Sequence, residues 1–137
     1  MFIFHKETTL EDLGNGVTRR ILAHDGKMMA VEVNFEAGAI GPMHNHPHEQ
    51  LTYVLSGTVA HRDSMGNISQ VTAGEFQIMS AGTGITHSEY NPSATEELHL
   101  YQIWIRPDQA RVAPRYEQRQ FPRQEGFQLL LSPDGEE

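Results

Sequence analysis

The sequence predicts an all-β domain, an antiparallel sandwich or barrel, on three observations. Short apolar or alternating runs recur along the chain: VTRRILA (17–23), MMAVEVNF (28–35), QLTYVLSG (50–57), TVAHRD (58–63), EFQIMS (75–80), HSEYN (87–91) and LHLYQIWI (98–105). Each has the length and the period of two expected of a strand. The connectors hold Asn15-Gly16, Asp25-Gly26, Gly38 to Pro42, Gly66-Asn67, Gly74 and Gly82 to Gly84, residues that tolerate the backbone angles of tight turns. No stretch carries a sustained helical period, so the runs are expected to join as hairpins rather than through helices.

A chain of 137 residues fits one domain and can bury roughly two-thirds of its unfolded surface. The expected division is a barrel over residues 1–106 and a C-terminal extension, 107–137, that packs on the barrel or swaps with a second copy. Within the extension an Arg-, Gln- and Pro-rich wrap precedes QLLLS, a candidate strand whose apolar edge seeks a partner and so points to a homodimer. Ten basic side chains against 18 acidic ones, with no basic run, disfavour nucleic acid. No segment approaches the ~20 apolar residues of a membrane span, and the start lacks a signal-peptide pattern, so a cytoplasmic address is expected. There is no cysteine, which leaves nitrogen and oxygen as the available metal donors.

Of eight histidines, three stand in a pattern with chemical meaning. His44 and His46 are two apart, so in extended chain both rings leave the same face, and Gln50 keeps that parity with an amide oxygen. A Gly-rich turn leads into His87, and Glu89 and Asn91 follow on its face. His87 could complete a three-histidine site, with Glu89 as a further ligand or as a base beside it. Imidazole with an oxygen donor suits one divalent transition metal ion, Fe, Mn, Ni, Co or Zn, rather than copper(I). His5, His24, His48, His61 and His99 are set aside, although His46 with His48 is a competing register for the pair. Tyr53, Phe76, Ile103 and Trp104 are read as core, the Arg62-Asp63 stretch as a solvated hairpin tip, Arg19, Arg20 and Arg106 as surface charge, and the methionines as flexible fillers.

These spacings resemble the cupin superfamily. Gly38, His44, His46, Gln50 and Gly57 stand where its first motif has Gly, His-x-His, Glu and Gly, with Gln50 in the Glu place. Gly74, Ser80, Gly82, His87 and Asn91 stand where its second motif has Gly, Pro-x-Gly, His and Asn, with Ser80 in the Pro place. The resemblance implies a single-domain antiparallel jelly-roll barrel. Residues 1–57, through HNHPHEQ, resemble small pectin-degradation cupins that ketonise unsaturated uronates and carry Gln as a ligand. Residues from 58 onward, through VAHRDSMGN, GEFQIMSAGTGITHSEYNP and PRYEQRQF, resemble the first domain of pirin-like proteins, some of which oxidise quercetin. The junction suits either a natural one-domain relative or an assembled chimera.

The pirin resemblance implies His87 and Glu89 as a ligand pair. It also sets Glu49 nearest the family's first-motif glutamate, although Gln50 has the parity. The implied ligand set is His44, His46, Gln50, His87 and Glu89, with Glu89 as the catalytic base. Three functions follow from the resemblances: a metal-dependent oxygenase of the quercetin 2,3-dioxygenase type acting on a flavonol, a metal-assisted isomerase of a sugar acid, or a non-enzymatic metal-binding regulatory module.

Overall fold

The structure, a computed structural model, describes residues 3–132; the polar end beyond Ser132 lies outside the described residues. Among the described residues eleven strands form two antiparallel sheets, and the one helical element is a 3-10 turn, His5–Glu7. The strands are β1 (Leu10–Gly14), β2 (Val17–His24), β3 (Met28–Phe35), β4 (His44–Asn45), β5 (Glu49–Ser56), β6 (Thr58–Asp63), β7 (Ile68–Thr72), β8 (Glu75–Ser80), β9 (Thr86–Tyr90), β10 (Leu98–Ile105) and β11 (Arg115–Gln120). The larger sheet runs β1-β2-β3-β10-β5-β8-β11 and the smaller β4-β9-β6-β7. After the β1-β2-β3 meander the chain passes back and forth between the sheets as far as β10, with β6 and β7 a hairpin of the smaller sheet, which is a jelly-roll arrangement.

Each of the seven runs expected from alternation is a strand, because each buries one face of its pleat. The β1–β2 hairpin turns on Asn15 and Gly16, both left-handed at φ 56° and 76°, the pair of angles a two-residue hairpin turn requires. Gly57 is also left-handed, and a Cβ there would lie 2.7 Å from the Glu97 carbonyl oxygen. At that position the chain leaves β5 for β6 and crosses between sheets.

The extension differs from expectation. Its strand is Arg115–Gln120, which pairs along the whole of β8, whereas QLLLS is irregular through Ser132. With β8 already covered by β11, the QLLLS segment lies over the outer face of the large sheet, lining a groove of about 540 Å³ with Leu51, Phe76, Ile78 and Phe121.

Inward-facing residues divide by chemistry. Val17, Val31, Val33, Phe35, Val54, Val59, Val71, Leu98 and Leu100 form one apolar cluster. Toward the other end of the same strands the inward positions become Gln50 and Thr52, His61 and Asp63, Gln77, His87 and Glu89, and Gln102, all buried. On the outer face, Glu32 accepts from both His5 (2.9 Å) and His99 (2.7 Å), tying the 3-10 turn to β3 and β10 and accounting for two of the histidines set aside.

Candidate metal centre

Strand β9 organises the site. Its register sets His87 opposite His44 of β4 on one side, and on the other sets Glu89 opposite His61 and His87 opposite Asp63 of β6. Only His87 and Glu89 of this strand are buried, because alternate side chains share a face. The backbone N–H of Gly41 donates to the Glu89 carbonyl at 2.8 Å, which fastens the loop before β4 to β9 and so holds His44 and His46 against His87.

The three expected rings come together. His46 Nε2 lies 3.2 Å from His87 Nε2, and one ligand nitrogen from each of His44, His46 and His87 falls within 4.8 Å of the others. Two nitrogens bound at ~2.1 Å to neighbouring positions of one ion sit about 3.0–3.4 Å apart, so this spacing fits a shared cation. The Nδ1 of His44 lies 2.9 Å from the Pro42 carbonyl, the backbone contact that fixes a ligand tautomer and leaves Nε2 bare. Burial drives the His87 pKa from 6.5 to about 3, with the neighbouring His44 and His46 acting in the same direction. Burial likewise lowers that of His46. Neutral rings with exposed lone pairs are the form that binds a metal.

Glu89 lies one pleat deeper. Its Oε1 accepts from Gln50 Nε2 at 3.0 Å and its Oε2 from Gln102 Nε2 at 2.7 Å. Burial raises its pKa above the usual carboxylate range. Gln50 is a bridge, since its Oε1 faces His46 Nε2 at 3.1 Å while its amide nitrogen serves Glu89. Glu49 takes the opposite face and accepts from Ser80 Oγ at 3.1 Å. His48 stands outside the three-ring group, with its ring 6.0 Å from that of His46. Asn91 serves the loops, its amide donating to the Glu36 and Glu96 carbonyls.

Several positions differ from the sequence expectation. Trp104 walls the site rather than the apolar core, stacking on His46 at 4.8 Å between centroids. Tyr53 and Phe76 stack on each other at 4.5 Å and are only partly buried. Asp63 is buried, although Arg62 beside it is exposed. His61, set aside from sequence, is fully buried next to the site: its Nε2 faces Asp63 Oδ2 at 3.1 Å and its Nδ1 faces the Gln77 amide at 3.2 Å. The signal that finds it is parity, because Val59, His61 and Asp63 share one face of β6 and Val59 must face the core. Beside the mouth lies a cleft of about 690 Å³ lined by Pro47, His48, Ser80, Thr83, Arg106 and Arg111 among others.

A two-sheet antiparallel barrel with a His-x-His pair that starts on one strand and a third histidine on the strand paired with it is a cupin. The chain belongs to the Pirin family, whose model matches residues 3–105. It is 71% identical over 92 residues to the quercetin 2,3-dioxygenase of Escherichia coli K12, covering 65% of this chain and 40% of that protein. The chain therefore spans well under half the length of that curated relative. Among solved structures, the bacterial pirin YhhW of Escherichia coli in complex with nickel(II) superposes with a TM-score of 0.83 at 50% identity, over 94% of this chain and 61% of the other. KdgF of Halomonas sp. superposes at 0.63 and 28% identity, over 79% of this chain and 96% of its own. Among the described residues no helix is long and apolar enough to cross a membrane.

Proposed function

We infer that the chain is a metal-dependent oxygenase site for a flavonol, with one divalent transition ion held by His44, His46 and His87, an oxygen donor from Gln50 or Glu89, and Glu89 as the base. The observation that carries this reading is the meeting of three imidazoles beside a buried carboxylate. The quercetin 2,3-dioxygenase relative and the nickel-bound pirin support it. When bound, such an ion supplies a Lewis acid for a substrate oxygen and, if redox-active, a path for electrons to dioxygen.

The chain's own residues do the remainder. Glu89 takes the proton of the flavonol hydroxyl, and burial has already shifted its pKa toward the range a base needs. The Gln50 and Gln102 amides hold its two oxygens in place while it waits. Trp104 and the cleft beside His48 offer a flat wall and space for an aromatic substrate. The test is oxygen uptake by metal-loaded protein given quercetin. Glu89→Gln keeps the shape and cannot accept the proton, so turnover should fall about 10²- to 10⁴-fold with the metal retained. Equal turnover by the variant, or none by the wild type, would count against the reading.

A second reading, isomerisation of an unsaturated uronate, is favoured by Gln50 Oε1 lying beside His46 Nε2 and by the likeness to KdgF. Loss of the substrate's ultraviolet band in the absence of oxygen uptake would select it, and inertness in both assays would leave a metal-loaded regulatory module. The C-terminal extension, 107–137, acts as an accessory to the barrel. Exposed Phe127 and Leu129 on it support a homodimer, which light scattering would report as twice the chain mass. We further propose a cytoplasmic setting, which fractionation of cells expressing the chain would check.

A further inference from the structure

His61 is built like a metal ligand although it lies outside the three-histidine group. Ligating histidines ordinarily turn their second ring nitrogen to a carboxylate or a carbonyl, which fixes the tautomer and raises ligand basicity. His61 has that partner: Asp63 Oδ2 stands 3.1 Å from its Nε2. Asp63 is itself held by the Asn67 side chain at 2.8 Å and by the Met65 backbone N–H at 2.9 Å. With Nε2 committed to Asp63, Nδ1 keeps the lone pair. It lies 3.2 Å from the amide nitrogen of Gln77, a long contact, and the Gln77 oxygen is buried with no partner among the described residues.

The surroundings point the same way. The His87 ring lies 5.6 Å from that of His61, and its Nδ1 is buried and unpartnered. Glu89 stands opposite His61 in the β6–β9 register, and one ligand atom each from His61, His87 and Glu89 falls within 4.8 Å of the others. All three residues are buried, whereas the mouth group includes exposed His44. The side chains that hydrogen-bond Glu89 are the Gln50 and Gln102 amides, so its buried oxygens face neutral donors there.

We propose that the barrel holds a second, inner cation position formed by His61, His87 and Glu89, with Asp63 behind His61 and Gln77 as a spare oxygen donor. It shares His87 and Glu89 with the mouth position. It thus rests on the metal reading above only to the extent that those two residues are free to bind an ion. His44 and His46 are dispensable for it. An ion there is enclosed by buried groups and gives way to chelators more slowly than one held partly by exposed His44.

The test is cobalt(II) binding by the intact chain, followed by its visible absorption and by metal analysis after dialysis. His44→Ala/His46→Ala removes the mouth position and should still bind one cobalt ion per chain, with affinity weakened by about 10- to 100-fold. Adding His61→Leu to that double variant should abolish binding. Asp63→Asn, which leaves every inner ligand in place, should weaken cobalt binding in the double-variant background by a similar factor. Circular dichroism verifies folding for each variant. A folded double variant that binds no cobalt would overturn the inner position while wild-type binding left the mouth reading standing. A wild type that binds no cobalt would remove both. Unchanged binding on adding His61→Leu would also overturn the proposal, since the residual ion would then sit elsewhere.

Discussion

Glu89 concentrates the energetics of the site in one side chain. A carboxylate at full burial is unfavourable unless its oxygens are served, and Gln50 and Gln102 serve one each. Gln102→Leu leaves Oε2 without a donor and should cost about 1–3 kcal/mol of stability in the metal-free protein, read from urea unfolding. An unchanged midpoint would show that the amide does not hold the carboxylate. His87 sets the acid side of the stability profile. Its pKa falls from 6.5 to about 3 on folding, chiefly by burial, so below pH 6.5 the unfolded chain takes a proton the folded chain refuses. The stabilising contribution is complete above 6.5 and is lost progressively as pH drops toward 3. Thermal melts of metal-free protein should show this decline, and His87→Gln should flatten it.

The strands show which local signals survive folding and which do not. VTRRILA, MMAVEVNF, LHLYQIWI and their like were legible because each buries one face, and burial writes a period of two. The strands that escaped lack that imprint. LEDLG is a mostly exposed edge, His44–Asn45 is two residues long, ISQVT is an edge strand that buries only Val71, and RYEQRQ is charged and held by its ladder to β8 rather than by an apolar face. His44, His46 and His87 were legible through parity and motif spacing. The burial of His61 follows from the same parity, but its place beside His87, like that of Trp104 beside His46, depends on which strand lies across from which: β6 beside β9, and β10 beside β5. Crossovers between sheets are equally specific. Gly57→Ala would force a left-handed alanine whose Cβ meets the Glu97 carbonyl, so its unfolding free energy, read from the denaturant midpoint, should fall by more than the ~1 kcal/mol typical of a mild glycine replacement. An unaffected midpoint would mean that the crossover is looser than it looks.

The whole molecule divides its labour along the barrel axis. An apolar plug formed by Val33, Val54, Val59, Val71, Leu98 and Leu100 supplies stability at one end, and the polar inward residues at the other supply chemistry. Leu100→Ala, at a site with no exposure, should cost about 2–5 kcal/mol yet leave the metal affinity of the folded fraction unchanged. Parallel losses of both would mean that the two ends are not separable.

An anomalous-scattering map, collected at the nickel edge from crystals of the metal-loaded protein, tests the shared-cation claim most directly. A strong peak within about 2.3 Å of nitrogens from His44, His46 and His87 is the predicted result. A map with no peak among those three rings, from crystals whose bulk analysis shows bound nickel, would contradict it.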